Sequence, residues 1–562
     1  MKMKKLTLLL LFVVQFAWAQ ESTFKNPILQ GGYPDPSITT DGEYYYIVNS
    51  SFEYFPGLPL HRSKDLVNWE FIGYGLHRVD QCDGEMNLVD VQQNGGIHAP
   101  TIRYHEGKFY IITTNVYNPI DDSPTKTINF IITAENIAGP WSEPHIIEGA
   151  PGIDPDIFFD DNGDVWFVGT HSPENPNYEG EGEIWTQQLD LDNWKLKGER
   201  HYLYRGACGG VWVEGPHVYK HDGKYYLMVA EGGTSYNHAM MIAVSENMTG
   251  PYESNERNPI LTTRNLSYDN WVNSTGHADI VQLKDGRWYM VALGIRGDVK
   301  RASNMGRETF LIPVQWERVP FWWEEIKYDW PVVAPKTGRV MKNEELPFAD
   351  HPQMRNDAFM DNFDNDQLDV EWNFRRVPMK NTYSLTAKEG YLRLYLKPEV
   401  IKKRGRASLM GVRQKETDFE YAAKMKFAGK KEGTEAGISI FQKDDNFINF
   451  TIKKKDGKHV LQLVLAEQKV EDLQVLQEQP IADYNGEIVF KLLSKENKYS
   501  FSYSLDNGKT FIPFETTKSD YLLSFGWNSG YTGAYCGIFA TSNGKPTKEY
   551  ADFDWVSYKG FE

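Results

Sequence analysis

The chain has 562 residues and a formal net charge of −17, with 14% aromatic residues and abundant Gly and Pro. That length exceeds what one hydrophobic core fills, so at least two domains are expected, and the composition suits short strands joined by tight turns. An acidic surface repels phosphate backbones and excludes nucleic acid as a partner, while leaving neutral substrates such as sugars open.

The first nineteen residues read as an export signal. Lys2, Lys4 and Lys5 precede a short apolar run from Leu6 to Phe16, and Ala17-Trp18-Ala19 is a small-x-small cleavage site. The run is too short for a comfortable membrane span. The expected product is an exported protein, periplasmic or secreted, starting near Gln20 with a charge of −20 once the three lysines are gone.

From residue 24 to 335 a turn recurs. DGEYYYIV, EGKFYIIT, NGDVWFVG, DGKYYLMV and DGRWYMVA each place a polar residue and a glycine before an aromatic and aliphatic run. Such dipeptides between extended runs signal β-hairpins. The glycines are Gly42, Gly107, Gly163, Gly223 and Gly286, spaced by 65, 56, 60 and 63 residues. A unit of that length holds about four strands. Five units predict a five-bladed β-propeller, a β-sandwich with similar hairpins being the alternative.

Upstream of the turns lie ionisable residues. His98, Asp154, Glu214 and His277 each stand nine residues before their glycine, and Asp35 stands seven before its own. Read as equivalent positions on innermost strands, they form a polar ring around the axis. Three carboxylates so placed push one another's pKa values apart, which is the requirement of glycoside hydrolysis: one acid protonated, one ionised. Asp156, two residues beyond Asp154, competes with it. His98 is read as pocket wall, and His277 as structural or as a water-mediated metal neighbour. Cys82, Cys208 and Cys536 form no metal or disulfide pattern and are expected to be buried free thiols.

After Pro335 the repeat stops. Residues 336–360 are polar and read as a linker. From 361 to 562, short alternating runs such as YLRLYL, EYAAKMKF, AGISIFQ and YSFSYSL predict a β-sandwich.

NPILQGGYPDPS, NSSFEYFPGLPLHRSKDLVNWE, GGIHAPTIRY, GIDPDIFFDDNG, EGPHVYK, AEGGTSY, GHADIV and GRET together resemble glycoside hydrolase family 43, in its two-domain β-xylosidase and α-L-arabinofuranosidase branch. The resemblance implies a five-bladed propeller with a concanavalin-like C-terminal sandwich, and inverting, exo-acting release of a terminal β-D-xylosyl or α-L-arabinofuranosyl group from plant oligosaccharides. It makes Asp35 the general base, Glu214 the general acid and Asp154 the residue that orients Glu214 and raises its pKa. It places Arg307 and Phe52 in the terminal sugar subsite, and Tyr531 on a sandwich loop that closes one wall. It implies no required cofactor, although in many members a calcium ion sits beside the axial histidine, here His277. Some xylosidases of the branch carry Trp where this chain has His98, which keeps both pentoses in play. The invertase type of five-bladed hydrolase uses Arg-Asp-Pro, and here Ile153 precedes Asp154. A non-catalytic sugar-binding propeller is the alternative function. An inverting pair would hold Asp35 and Glu214 about 6.5–9.5 Å apart.

Overall fold

The computed structural model describes residues 22–561 apart from 122, 299–300, 319–326 and 525–529. The expected export signal therefore lies outside the described residues. No described helix is long and apolar enough to cross a membrane.

Five antiparallel sheets follow one another along the chain, each starting with its innermost strand. Those strands are Ser37–Thr40, Gly96–His105, Ile153–Phe159, Glu214–His221 and Val272–Gln282. Each contacts the next, and the fifth contacts the first, so the ring closes. Within each sheet the following strands pair outward in order, as in Val165–His171, Glu183–Asp190 and Lys195–Tyr204 of blade three. This is the five-bladed propeller. The five hairpin glycines have φ between +71° and +88° with no atom near a built Cβ, so it is backbone conformation and not space that requires glycine there.

The core lies in the clefts between blades. Ile47 of blade one packs with Val291 of blade five, and Tyr226 of blade four with Phe310 of blade five. The runs after the turns thus fill the clefts. The cleft between blades one and two is continuous with the interior of the second domain: Val48 and Ile111 share one cluster with Phe450 and Ile538.

That domain stacks two eight-stranded antiparallel sheets, the sandwich expected from its alternating runs. One sheet centres on Asp418–Phe427 paired with Tyr550–Phe561. The other runs from Gln474–Pro480 to Asn373–Arg375, and its last strand is Tyr54–Phe55, contributed by blade one. Residues 343–345 of the connecting segment pair with Thr23–Lys25, and Ala358–Asp361 pairs with the final strand, so both ends of the connection are fixed in sheets. Buried ion pairs reinforce the junction: Arg375 with Glu53 at 3.0 Å, and Arg296 with Glu416 at 2.8 Å. Cys82 and Cys536 are buried, but Cys208 is exposed, because it lies in a loop beyond the outer strand of blade three.

Candidate active site

On or just before every inner strand an equivalent residue takes the left-handed conformation: Asp35 (φ 49°), Ala99 (26°), Asp154 (54°), Gly215 (57°) and His277 (40°). Four of them precede Pro36, Pro100, Pro155 and Pro216. In blades two to five the pairing with the second strand is irregular there, and such bulges re-aim side chains. This corrects the register read from the sequence. The equivalent ring is Asp35, Ala99, Asp154, Gly215 and His277, and His98 and Glu214 each stand one residue earlier. The glycine count misaligned them because the hairpin loops differ in length. His221 pairs directly with Lys224, whereas Phe159 pairs with Val165.

The corrected ring still gathers the candidates. One oxygen each of Asp154 and Glu214 and one nitrogen of His277 lie within 4.8 Å of one another. Asp35 approaches His277 Nδ1 at 3.9 Å. Arg307 Nη1 donates to Asp35 Oδ1 and to Thr234 Oγ1, both at 2.9 Å, and the Ser50 hydroxyl donates to Asp35 Oδ2 at 2.6 Å.

These surroundings divide the carboxylates. Burial pushes Asp35 upward, but Arg307 and Ser50 outweigh it and hold the group below its ordinary value. Burial and the charge of Asp35 raise Glu214 to about 7. Asp154 is raised well above its ordinary value by burial and by Glu214, although the Gly215 N–H donates to it at 3.2 Å. The site thus holds one ionised carboxylate beside a pair that retains a proton near neutrality. Burial also lowers His277 to about 4, so its ring is neutral there.

Phe52, His98 and Tyr531 form an aromatic wall. The Phe52 ring centre lies 4.9 Å from His98 and 5.5 Å from Tyr531, and the Arg307 guanidinium lies 5.4 Å over Phe52. Phe52 is fixed by paired backbone bonds with Ile97. Tyr531 is held by its N–H to Asn94 Oδ1 at 3.1 Å, and its carbonyl accepts from Arg307 at 3.4 Å. The sandwich loop reaches this position because Gly533 packs on blade-five backbone: a Cβ there would lie 2.2 Å from Met305 O.

Asp156 faces another task. Arg103 bridges Asp156 at 3.0 Å, Asp279 at 2.8 Å and His217 Nδ1 at 3.0 Å, and it also touches Ser37. One side chain of blade two thereby reaches the inner strands of all four other blades, which places it across the axis. Ser37, Thr101, Asp156, His217 and Asp279 each stand two residues after the left-handed position, forming a lower ring around it.

Calcium takes six to eight oxygens, so at His277 most of them would have to come from water, as a water-mediated site implies. The grouping offers one imidazole nitrogen and two carboxylates, and the Arg103 cation occupies the axis nearby.

Residues 24–318 match the family described as glycosyl hydrolases family 43, and residues 360–559 match its β-xylosidase C-terminal concanavalin A-like domain. The chain belongs to glycosyl hydrolase family 43. A xylosidase/arabinosidase of Butyrivibrio fibrisolvens is 38% identical over 95% of this chain and 98% of its own length. A non-reducing end α-L-arabinofuranosidase of Bacteroides ovatus is 35% identical over 99% and 98%. The crystal structure of a xylan β-1,4-xylosidase from Bacillus halodurans superposes with a TM-score of 0.86 at 29% identity, covering 95% of this chain and all of that one.

This family-43 chain is a glycosidase. Beyond the residues singled out from its sequence, its site uses Ser50, Asn94 and Thr234 to hold Asp35, Tyr531 and Arg307. Ser50 and Thr234 stand in the motifs NSSFEYF and AEGGTSY, which signalled a site without signalling their partners. Arg103 likewise stands in GGIHAPTIRY, which did not signal its partners across the axis.

Proposed function

We propose that the protein is an exo-acting, inverting glycosidase that releases a terminal pentose, β-D-xylosyl or α-L-arabinofuranosyl, from plant cell-wall oligosaccharides. The division of the carboxylates carries this reading. Asp35, kept ionised by Arg307, takes a proton from water as the water attacks the anomeric carbon. Glu214, kept protonated, gives its proton to the departing oxygen. Asp154, buried beside Glu214, is the other half of the carboxyl pair that retains a proton near neutrality. Arg307, Phe52, His98 and Tyr531 hold the terminal sugar. Two carboxylates acting on opposite sides, with water between, invert the anomeric centre. The wall that Tyr531 places across one end favours attack on chain ends.

The deciding experiment incubates the protein with aryl β-D-xyloside and aryl α-L-arabinofuranoside and follows the first-formed anomer by NMR. Release of pentose with inverted configuration is expected, and the faster substrate identifies the sugar. Absence of hydrolysis on both would leave a sugar-binding propeller. Export is part of the proposal, supported by the charged and apolar N-terminal pattern; mass spectrometry of the mature protein should find Gln20 at its start.

A further inference from the structure

We infer that Trp212 is the platform on which the leaving-group sugar, a pyranose, stacks during cleavage. This rests on the function proposed above. The face of the propeller that carries the site also carries the loops 172–182, 205–213, 232–238 and 263–271, because each joins strand ends on that side. The sandwich covers blade one through Tyr54–Phe55 and Arg375, reaches blade two through Arg404 on Asn118 O, and covers part of blade five through Gly533 and Glu416. The loops of blades three and four and the connection into blade five hold exposed aromatics: Tyr178, Trp212, Tyr236 and Tyr268. This is the side on which the substrate beyond the terminal sugar can lie.

Trp212 is the member tied to the chemistry. It stands two residues before Glu214, the group that protonates the departing oxygen. A chain of contacts joins it to the terminal-sugar pocket: Asp35 to Arg307, Arg307 to Thr234, and the neighbouring Gly233 against the indole. A Cβ on Gly180 would lie 2.8 Å from the ring and one on Gly233 would lie 3.2 Å from it, so two loops close on the indole only because both are glycine. Even so, 49% of the residue stays exposed. A tryptophan for packing alone would be covered.

Its backbone is held in a conformation that disfavours bulky residues, with φ at 49°. The Trp212 N–H donates to Gly180 O at 2.6 Å. The buried Glu231 carboxylate accepts from Ala207, Cys208 and Gly210 N–H groups at 2.9–3.1 Å, bracing the loop from behind. A flat, preorganised apolar surface beside the acid suits the ring face of a sugar. Whichever pentose is terminal in xylan, the sugar it leaves is a xylopyranose.

The test compares kcat/KM on a pentosyl-β-1,4-xylopyranose disaccharide, or its arabinofuranosyl counterpart, with kcat/KM on the matching glycosyl fluoride, whose leaving group has no ring. Trp212→Ala should lower the disaccharide-to-fluoride ratio tenfold or more. Trp212→Phe should recover most of that loss. Gly180→Ala, which displaces the indole, should lower the same ratio and serves if the alanine variant fails to fold. A ratio within twofold of wild type in Trp212→Ala or Gly180→Ala would overturn the inference. So would equal losses on both substrates, which mark a structural role. Wild-type protein inactive on both would sink the proposed function, and this inference with it.

Discussion

Glu214 carries a cost that its chemistry requires. Its pKa in the fold is about 7 against an ordinary 4.5. The native state therefore binds the proton more tightly than the unfolded chain does. Stability from this group is fully present below about pH 4.5 and is lost as pH climbs through 7. Glu214→Gln should raise the melting temperature at pH 8, by an amount on the order of 1–3 kcal/mol in stability, and by much less at pH 5. The same titration sets activity. With Asp35 held low and Glu214 high, kcat/KM should be flat between them and fall as pH rises past about 7. Asp154→Asn removes one half of the coupled carboxyl pair and should change the position or steepness of that falling limb. Glu214→Gln should slow natural oligosaccharides most and spare activated aryl pentosides, whose leaving groups need little protonation. Equal losses on both would count against Glu214 as the acid. Asp35, Asp154 and Glu214 were legible in the sequence as acids ahead of hairpins. Ser50 and Thr234 were not, since a single hydroxyl has no pattern until the fold brings it to its partner.

The inner strand is the element on which the site is built. Its left-handed residue and following proline recur in four blades, and in the fifth Ala278 replaces the proline. The hairpin glycines made the blades legible, but counting back from them failed by one residue at His98 and Glu214, because turn length varies independently of strand position. Below the left-handed residue, Arg103 compensates Asp156 and Asp279, both fully buried. Arg103→Met would leave two carboxylates without a counter-charge, a loss of about 3–5 kcal/mol. A lower urea midpoint and collapse of activity should follow; an unchanged midpoint would show that the axis needs no cation. The loop bearing Tyr531 depends on a backbone contact instead. Gly533→Ala has no room against Met305 O, so it should displace Tyr531 and raise KM more than it lowers kcat, read with the aryl pentosides.

At the scale of the molecule, the two domains share a sheet and a core. The alternating runs announced a sandwich, yet nothing in them announced that its edge strand comes from residues 54–55. That pairing depends on a contact between segments more than 300 residues apart, beyond the reach of local patterning. A chain ending near residue 335 would expose Tyr54, Phe55 and the cleft that holds Val48 and Ile111. It should be insoluble or inactive, and co-expression with residues 336–562 should recover soluble, active complex. Soluble and active propeller alone would refute this interdependence. The shared strand also fixes an order of events during synthesis. Phe52, which lines the pocket, lies next to a segment whose partner leaves the ribosome only after several hundred further residues, and Tyr531 follows later still. A nascent chain can assemble blades as they emerge, but it gains a finished sugar pocket only when translation is nearly over.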